Sequence, residues 1–221
     1  MSPAATAPEP LIPRSIFGFS PMRQRVHSEL SENVMHAYLD SGMYRHLSFV
    51  SPEPTRGHWC VITSSPDALT ILGSMGAFTF THRGDPFEMI TSDVNTTLAQ
   101  LARDVSAVDR HYGLREYDME TFGQAVLANV ASGTRDRTDE DRRAIVADVL
   151  TRVVLTEEYG TQCEEGAREA IDMYDGHLGF QFDPDTKWDF ESYSAAFEWS
   201  AHALILGVER YREAVRAAVP A

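Results

Sequence analysis

Apolar residues recur at intervals of three and four over most of this chain, a spacing that predicts amphipathic helices. Val26, Leu30 and Val34 share a face of a first helix from Pro21 to about His46, with Ser20 as cap, Pro21 in the first turn, and Gly42 weakening its end. A loop follows at Ser51 to Gly57. HWCVITSSP, rich in β-branched and aromatic residues, reads as a short strand or a helix-to-helix connection. Ser65-Pro66-Asp67 opens a helix through Ala68, Leu69, Leu72 and Met75, and AFTFTH beyond it alternates like a strand.

The later pattern is cleaner. Thr91 to Asp109 reads as a helix capped by Ser92 or Asp93, with Val94, Leu98, Leu101 and Val105 as its stripe. Asp118 to Ala131 turns Phe122, Val126 and Val130 inward. Thr138-Asp139-Glu140-Asp141 is an acidic first turn, favoured by the helix dipole, for a helix carrying Ile145, Val149 and Val153. Glu164 to Tyr174 is another helix. Phe190, Tyr193, Phe197, Ala201, Leu204, Val208, Tyr211 and Val215 form the seam of the last. The expected architecture is mostly α: a proline-rich flexible tail at 1–15, then one helical domain over 16–221, with minor strand content near 58–82.

Composition changes this picture little. Hydrophobic residues are 43% and charged residues 24%, the balance of an ordinary folded protein. The net charge of −14 disfavours phosphate backbones and anionic lipid, so neither nucleic acid nor membrane is expected as a partner. No apolar run has the length of a membrane span, the N-terminus lacks the basic start and apolar stretch of a secretory signal, and Cys60 and Cys163 are too few for a disulfide framework. A cytoplasmic protein with reduced thiols is the expectation.

One candidate chemistry rests on a resemblance. Leu101-Ala102-Arg103-Asp104, then Tyr112-Gly113-Leu114-Arg115, Tyr117, Phe122-Gly123, Ala125, Leu127 and Thr138-Asp139-Glu140 are similar to the later half of bacterial globins, over residues 66–156. The resemblance implies a globin-like middle and a bound haem. His111 would be the axial iron ligand, with Phe49, Phe78 and Tyr112 against the porphyrin and His82 and His58 as polar groups on the distal side. The sequence departs from the pattern at Val105, where such proteins often carry the ligand histidine, and the last sixty-odd residues have no globin counterpart. The function implied is oxygen or redox chemistry on a small molecule or diatomic gas. Histidines in such positions more often cap carbonyls or sit in solvent.

Other constellations compete. Glu32 with His36 and Glu198 with His202 each place a carboxylate and an imidazole one helical turn apart, as in non-haem iron bundle oxidases. The bland reading is a pair of surface ion pairs. Glu157-Glu158-Tyr159-Gly160 with His177 beyond resembles the second ligand segment of haem-oxygenase-like diiron oxidases, but the expected histidine is missing. His58 and Cys60 would share a side of an extended segment, which is weak geometry for a thiol nucleophile. Gly73-x-x-Gly76 lacks the lysine of a phosphate loop, and the acidic run at Asp136 to Asp141 lacks calcium-loop spacing. The non-enzymatic alternative is a helical sensor or interaction protein that docks a basic partner, or its own copy through the aromatic last helix.

Overall fold

The computed structural model describes residues 21–53, 57–91 and 93–218, in two compact units. The tail read at 1–15, part of the loop at 51–57 and Ser92 lie outside these residues. One unit takes the chain up to Tyr112 and again from Ala195; the other is Gly113–Ser194.

The first unit overturns the mostly-α expectation and its globin-like architecture. It is built on a six-stranded antiparallel sheet in which every strand lies beside its sequence neighbour: β1 (Val34–Ser41), β2 (Tyr44–Val50), β3 (Cys60–Ser65), β4 (Ala68–Gly73), β5 (Gly76–Thr81) and β6 (Val105–Val108). The expected first helix stops early, as α1 (Pro21–Glu29). The chain turns at Leu30–Asn33, where the Asn33 amide donates to the carbonyls of Phe49 (3.2 Å) and His58 (2.7 Å). Gly42, at φ 62°, opens a two-residue hairpin loop between Ser41 and Tyr44. Ser65-Pro66-Asp67, expected to start a helix, is instead a hairpin turn, since Ser65 pairs with Ala68. The strand-like alternation of AFTFTH is real and forms β5.

The helix expected over 91–109 is α2 (Val94–Asp104) and then gives way to β6, where Val105 pairs with Phe80. The last helix, α6 (Ala195–Ala218), lies on one face of the sheet beside α1 and α2. Leu47, Phe49, Cys60, Ile62, Leu69, Ile71, Phe78 and Phe80 point inward from the strands and are buried, as are Phe197, Ala201, Leu204 and Val208 of the helix. Gly207 lets the helix backbone approach the sheet: a methyl there would lie 2.4 Å from the Ile62 Cδ1 and 3.1 Å from the Phe49 ring. A buried guanidinium closes the sheet's end. Arg45 donates to both oxygens of Asp85 (2.7 and 2.8 Å) and stacks on Phe87, 4.5 Å from the ring centre.

The second unit is helical around its own core. A short ladder of β7 (Arg115–Tyr117) with β8 (Glu191–Tyr193) closes it, and Ser194 donates back to the Gly113 and Leu114 carbonyls. Asp118 caps α3 (Met119–Gly133) by accepting from the Glu120 and Thr121 amides, and Thr138 caps α4 (Asp139–Val149). A π turn (Leu150–Val154) and α5 (Glu164–Asp172) follow. Phe122, Val126, Val130, Ile145, Val149 and Val153 fill the core, as their helical spacing predicted. Phe190, expected in the last helix, packs edge-on against Phe122 in this core instead, and Tyr193 belongs to β8.

Candidate interaction surface

Strand alternation sends half of the sheet's side chains away from α6. Rows of these outward residues cross the sheet: Ser41, Tyr44, Ser65, Ala68 and Thr81; then Leu39, His46, Thr63, Thr70, Thr79 and Ala107; then His36, Ser48, Val61, Leu72 and Ala77. In the middle row the His46 ring and the Thr63 hydroxyl are 3.2 Å apart, and the Thr70 and Thr79 hydroxyls 3.1 Å. Where β1 bulges between Ala37 and Leu39, the Tyr38 ring sits between the imidazoles of His36 (6.2 Å) and His46 (5.8 Å). Tyr38 is 71% exposed and Leu72 46%, so the face is open at both places. The Ser48 hydroxyl on it is buried without a hydrogen-bond partner among the described residues.

None of these outward residues is Asp, Glu, Lys or Arg, in a chain of which 24% is charged. Asp40 of β1 falls on the inner side, where its carboxylate accepts from the Tyr211 hydroxyl (2.8 Å). A solvated sheet face ordinarily carries charge. One that mixes Thr, Val, Leu, Tyr and His and carries none has the composition of the centre of a protein interface, which is depleted of charge and enriched in aromatics.

The residues singled out from sequence are used differently. His111 lies exposed in the turn after β6, its backbone amide donating to the Asp109 carboxylate (2.8 Å). Phe49 and Phe78 are core residues of the inner face, and Phe78 meets Phe197 edge-on at 5.6 Å. Tyr112 covers Gly76, and His82 follows β5 with its amide on the Asp67 carbonyl. Glu32 lies in the turn after α1 while His36 is on β1, so the helical spacing assumed for this pair does not exist. Glu198 and His202 are one turn apart on α6, and His202 is buried with both ring nitrogens lacking partners among the described residues. Burial, with the Arg23 charge, pushes the His202 imidazole down to about 4. Among the described residues no group of three or more His, Cys, Asp or Glu is placed to hold a metal ion, which corrects the metal-binding expectation.

His58 does join a polar cluster. Its ring lies 5.5 Å from that of Trp199 and its Nε2 is 3.5 Å from Glu29, which also accepts from Arg25 (2.7 Å) and from the Trp199 indole (2.7 Å). Burial raises the Glu29 carboxyl, but the Arg25 and Trp199 hydrogen bonds and the His58 charge outweigh it, leaving it below the ordinary range. The cluster ties α1 to α6. Cys60, considered with His58 as a nucleophile, is on the inner face, and burial pushes its thiol up to about 12, the behaviour of a small apolar residue.

The second unit has two polar hollows, of about 220 and 300 Å³. In the first, Arg152 reaches Asp175 (2.5 Å) and Asp148 (3.7 Å), and the Tyr174 hydroxyl donates to Asp148 (2.9 Å). In the second, Arg137 donates to the carbonyls of Leu178 and Gly179. These charges brace helices and loop. The outer sheet face is what sequence inspection missed, because its signal, alternation without charge on the polar phase, appears only once the segments are read as strands. No family model, curated protein or solved structure matches this chain, and among the described residues no helix is long and apolar enough to cross a membrane.

Proposed function

We propose that the protein is a non-enzymatic binding module that docks another polypeptide on the outer face of its six-stranded sheet. The observation that carries this reading is the charge-free composition of an open face in a protein of net charge −14. Removing Val61, Leu72, Tyr38 and Leu39 from water supplies the favourable term, at about 25 cal/mol per Å² of apolar surface. The hydroxyls and imidazoles between them fix orientation without a buried unpaired charge. The haem and non-haem iron readings call on residues the fold employs otherwise: His111 in a solvent-facing turn, Phe49 and Phe78 in the packed core, and Glu32 and His36 on different elements.

The test is photo-crosslinking in cells that make the protein, with a photoreactive amino acid replacing Leu72 in one variant and Met173 in another. Met173 is also exposed but belongs to the second unit. The reading predicts an adduct of discrete mass from position 72 and none from 173. No adduct at 72, or the same pattern from both, would contradict it.

A further inference from the structure

We infer that the polypeptide that docks on this face is a second copy of the chain, giving a two-fold dimer in which two sheets pack face to face. The inference rests on the binding-module reading above and adds the identity of the partner.

The side chains of this face are ones that can pair with themselves. In a two-fold interface the same patch meets itself, so residues near the axis face their own copies. A charged side chain cannot do this without like-charge repulsion, whereas a hydroxyl can, because it both donates and accepts. A neutral imidazole can as well, with one donor and one acceptor nitrogen. The central row carries such side chains at His46, Thr63, Thr70 and Thr79, between apolar ends at Leu39 and Ala107, and is flanked by Leu72 and Tyr38, which pair with their own kind through apolar contact.

Two chains of net charge −14 repel each other over much of their surface, and a face without charge relieves that repulsion where it is presented. A basic partner would gain little at the centre of this face, where no carboxylate would meet its lysines or arginines; Asp109, bonded through its amide to the Ala77 carbonyl, stands only at the margin.

The face is also of a size to hold a second copy. Outward side chains about 7 Å apart along strands about 4.8 Å apart make a face of roughly 20 by 24 Å, about 500 Å² in projection and more as accessible surface. That approaches the roughly 800 Å² per partner of an ordinary stable interface. Two such faces stack about 10 Å apart, as in a β-sandwich. Pairing through the edge of β1 is the other route to a dimer. There the bulge between Ala37 and Leu39 breaks the register of the ladder that a second β1 would have to join.

Sedimentation velocity on the purified full chain, from about 1 to 100 µM, tests the inference. The expected result is a species of about twice 24.7 kDa. Leu72→Asp and, separately, Tyr38→Lys should each raise the dissociation constant at least about tenfold, while Met173→Asp should not. Both face positions are solvent-exposed, so neither substitution disturbs the core, and an unchanged far-ultraviolet circular dichroism spectrum confirms the fold. A monomer at every concentration overturns the dimer, and so does a dimer indifferent to both face substitutions. If the cells then yield a Leu72 adduct whose added mass differs from that of one chain, the docking reading stands and only the identity of its partner fails.

Discussion

Acidifying the protein from pH 7 to pH 5 should weaken the sheet unit in part through His202. The imidazole is 3% exposed, between α6 and α1, with Arg23 and His27 of α1 and Glu209 of α6 lining the same groove. Burial, with the Arg23 charge beside it, disfavours protonation in the folded state, where both ring nitrogens also lack partners among the described residues, and the pKa falls from 6.5 to about 4. Above pH 6.5 the ring is neutral in folded and unfolded chains alike and the penalty is absent. Below it the unfolded chain takes up the proton and the folded one does not, so stability is lost as pH falls from 6.5 towards 4. At about 1.4 kcal/mol per pH unit, this costs about 2 kcal/mol by pH 5 and about 3 kcal/mol by pH 4. The assay is urea denaturation at pH 7 and pH 5, followed by tryptophan fluorescence in a Trp188→Phe background, so that Trp59 and Trp199 report the sheet unit. Carboxylates also titrate in this window, so the quantity to compare is the pH 7 to pH 5 difference with and without His202→Leu. The variant should lose about 2 kcal/mol less than its parent. It should be no less stable than the parent at pH 7, because leucine removes two unsatisfied buried nitrogens. Equal acid losses in parent and variant would mean that the buried His202 ring does not set the acid sensitivity.

Gly207→Ala gains helix propensity of up to about 1 kcal/mol, but its methyl would lie 2.4 Å from Ile62 and 3.1 Å from Phe49, so net destabilisation of about 1–3 kcal/mol is expected in urea melts. A neutral or stabilised variant would mean that α6 is not seated so closely on the sheet. Asp85→Asn removes the charge opposite Arg45, which is held between Asp85, Tyr211 and Phe87, and should cost about 2 kcal/mol, reduced from the fully buried case because Asp85 is partly solvated. A loss below about 0.5 kcal/mol would reduce the pair to an ordinary surface ion pair. Native protein should react with a maleimide at Cys163 alone and with both thiols only in denaturant, since Cys60 is buried with its thiol pushed up to about 12. Rapid native labelling of Cys60 would contradict its place in the core.

Much of the second unit was legible in the sequence, because local signals agree there with long-range packing. Asp118 and Thr138 act as caps, and Phe122, Val126 and Val130 face inward at helical spacing. The sheet unit was misread for a definite reason. Val26, Leu30 and Val34 fit a helical face, but Val34 opens β1, because Asn33 pins the turn and the next segment can pair with β2. Ala68, Leu69, Leu72 and Met75 also carry helical spacing, while the burial of Leu69 and Ile71 against the exposure of Leu72 follows a period of two. In short segments the two periods overlap, and strand pairing, which is not local, decides between them. The histidines attracted attention as ligands, but no local feature says which faces solvent: His111 is in an exposed turn, His36 and His46 lie on the open face, and His202 is buried. The outer face is distinguished only by an absence of charge across aligned rows, and those rows require the register.

Carbene footprinting read out by mass spectrometry tests the docking face most directly. The purified protein is labelled at about 0.1 µM, at about 100 µM, and in an extract of cells producing it. Tyr38, Leu39 and Leu72 should label fully when dilute and be protected both when concentrated and in the extract. Leu155 and Met173, exposed in the second unit, should label equally in all three. Face residues that label equally in all three samples would contradict the account.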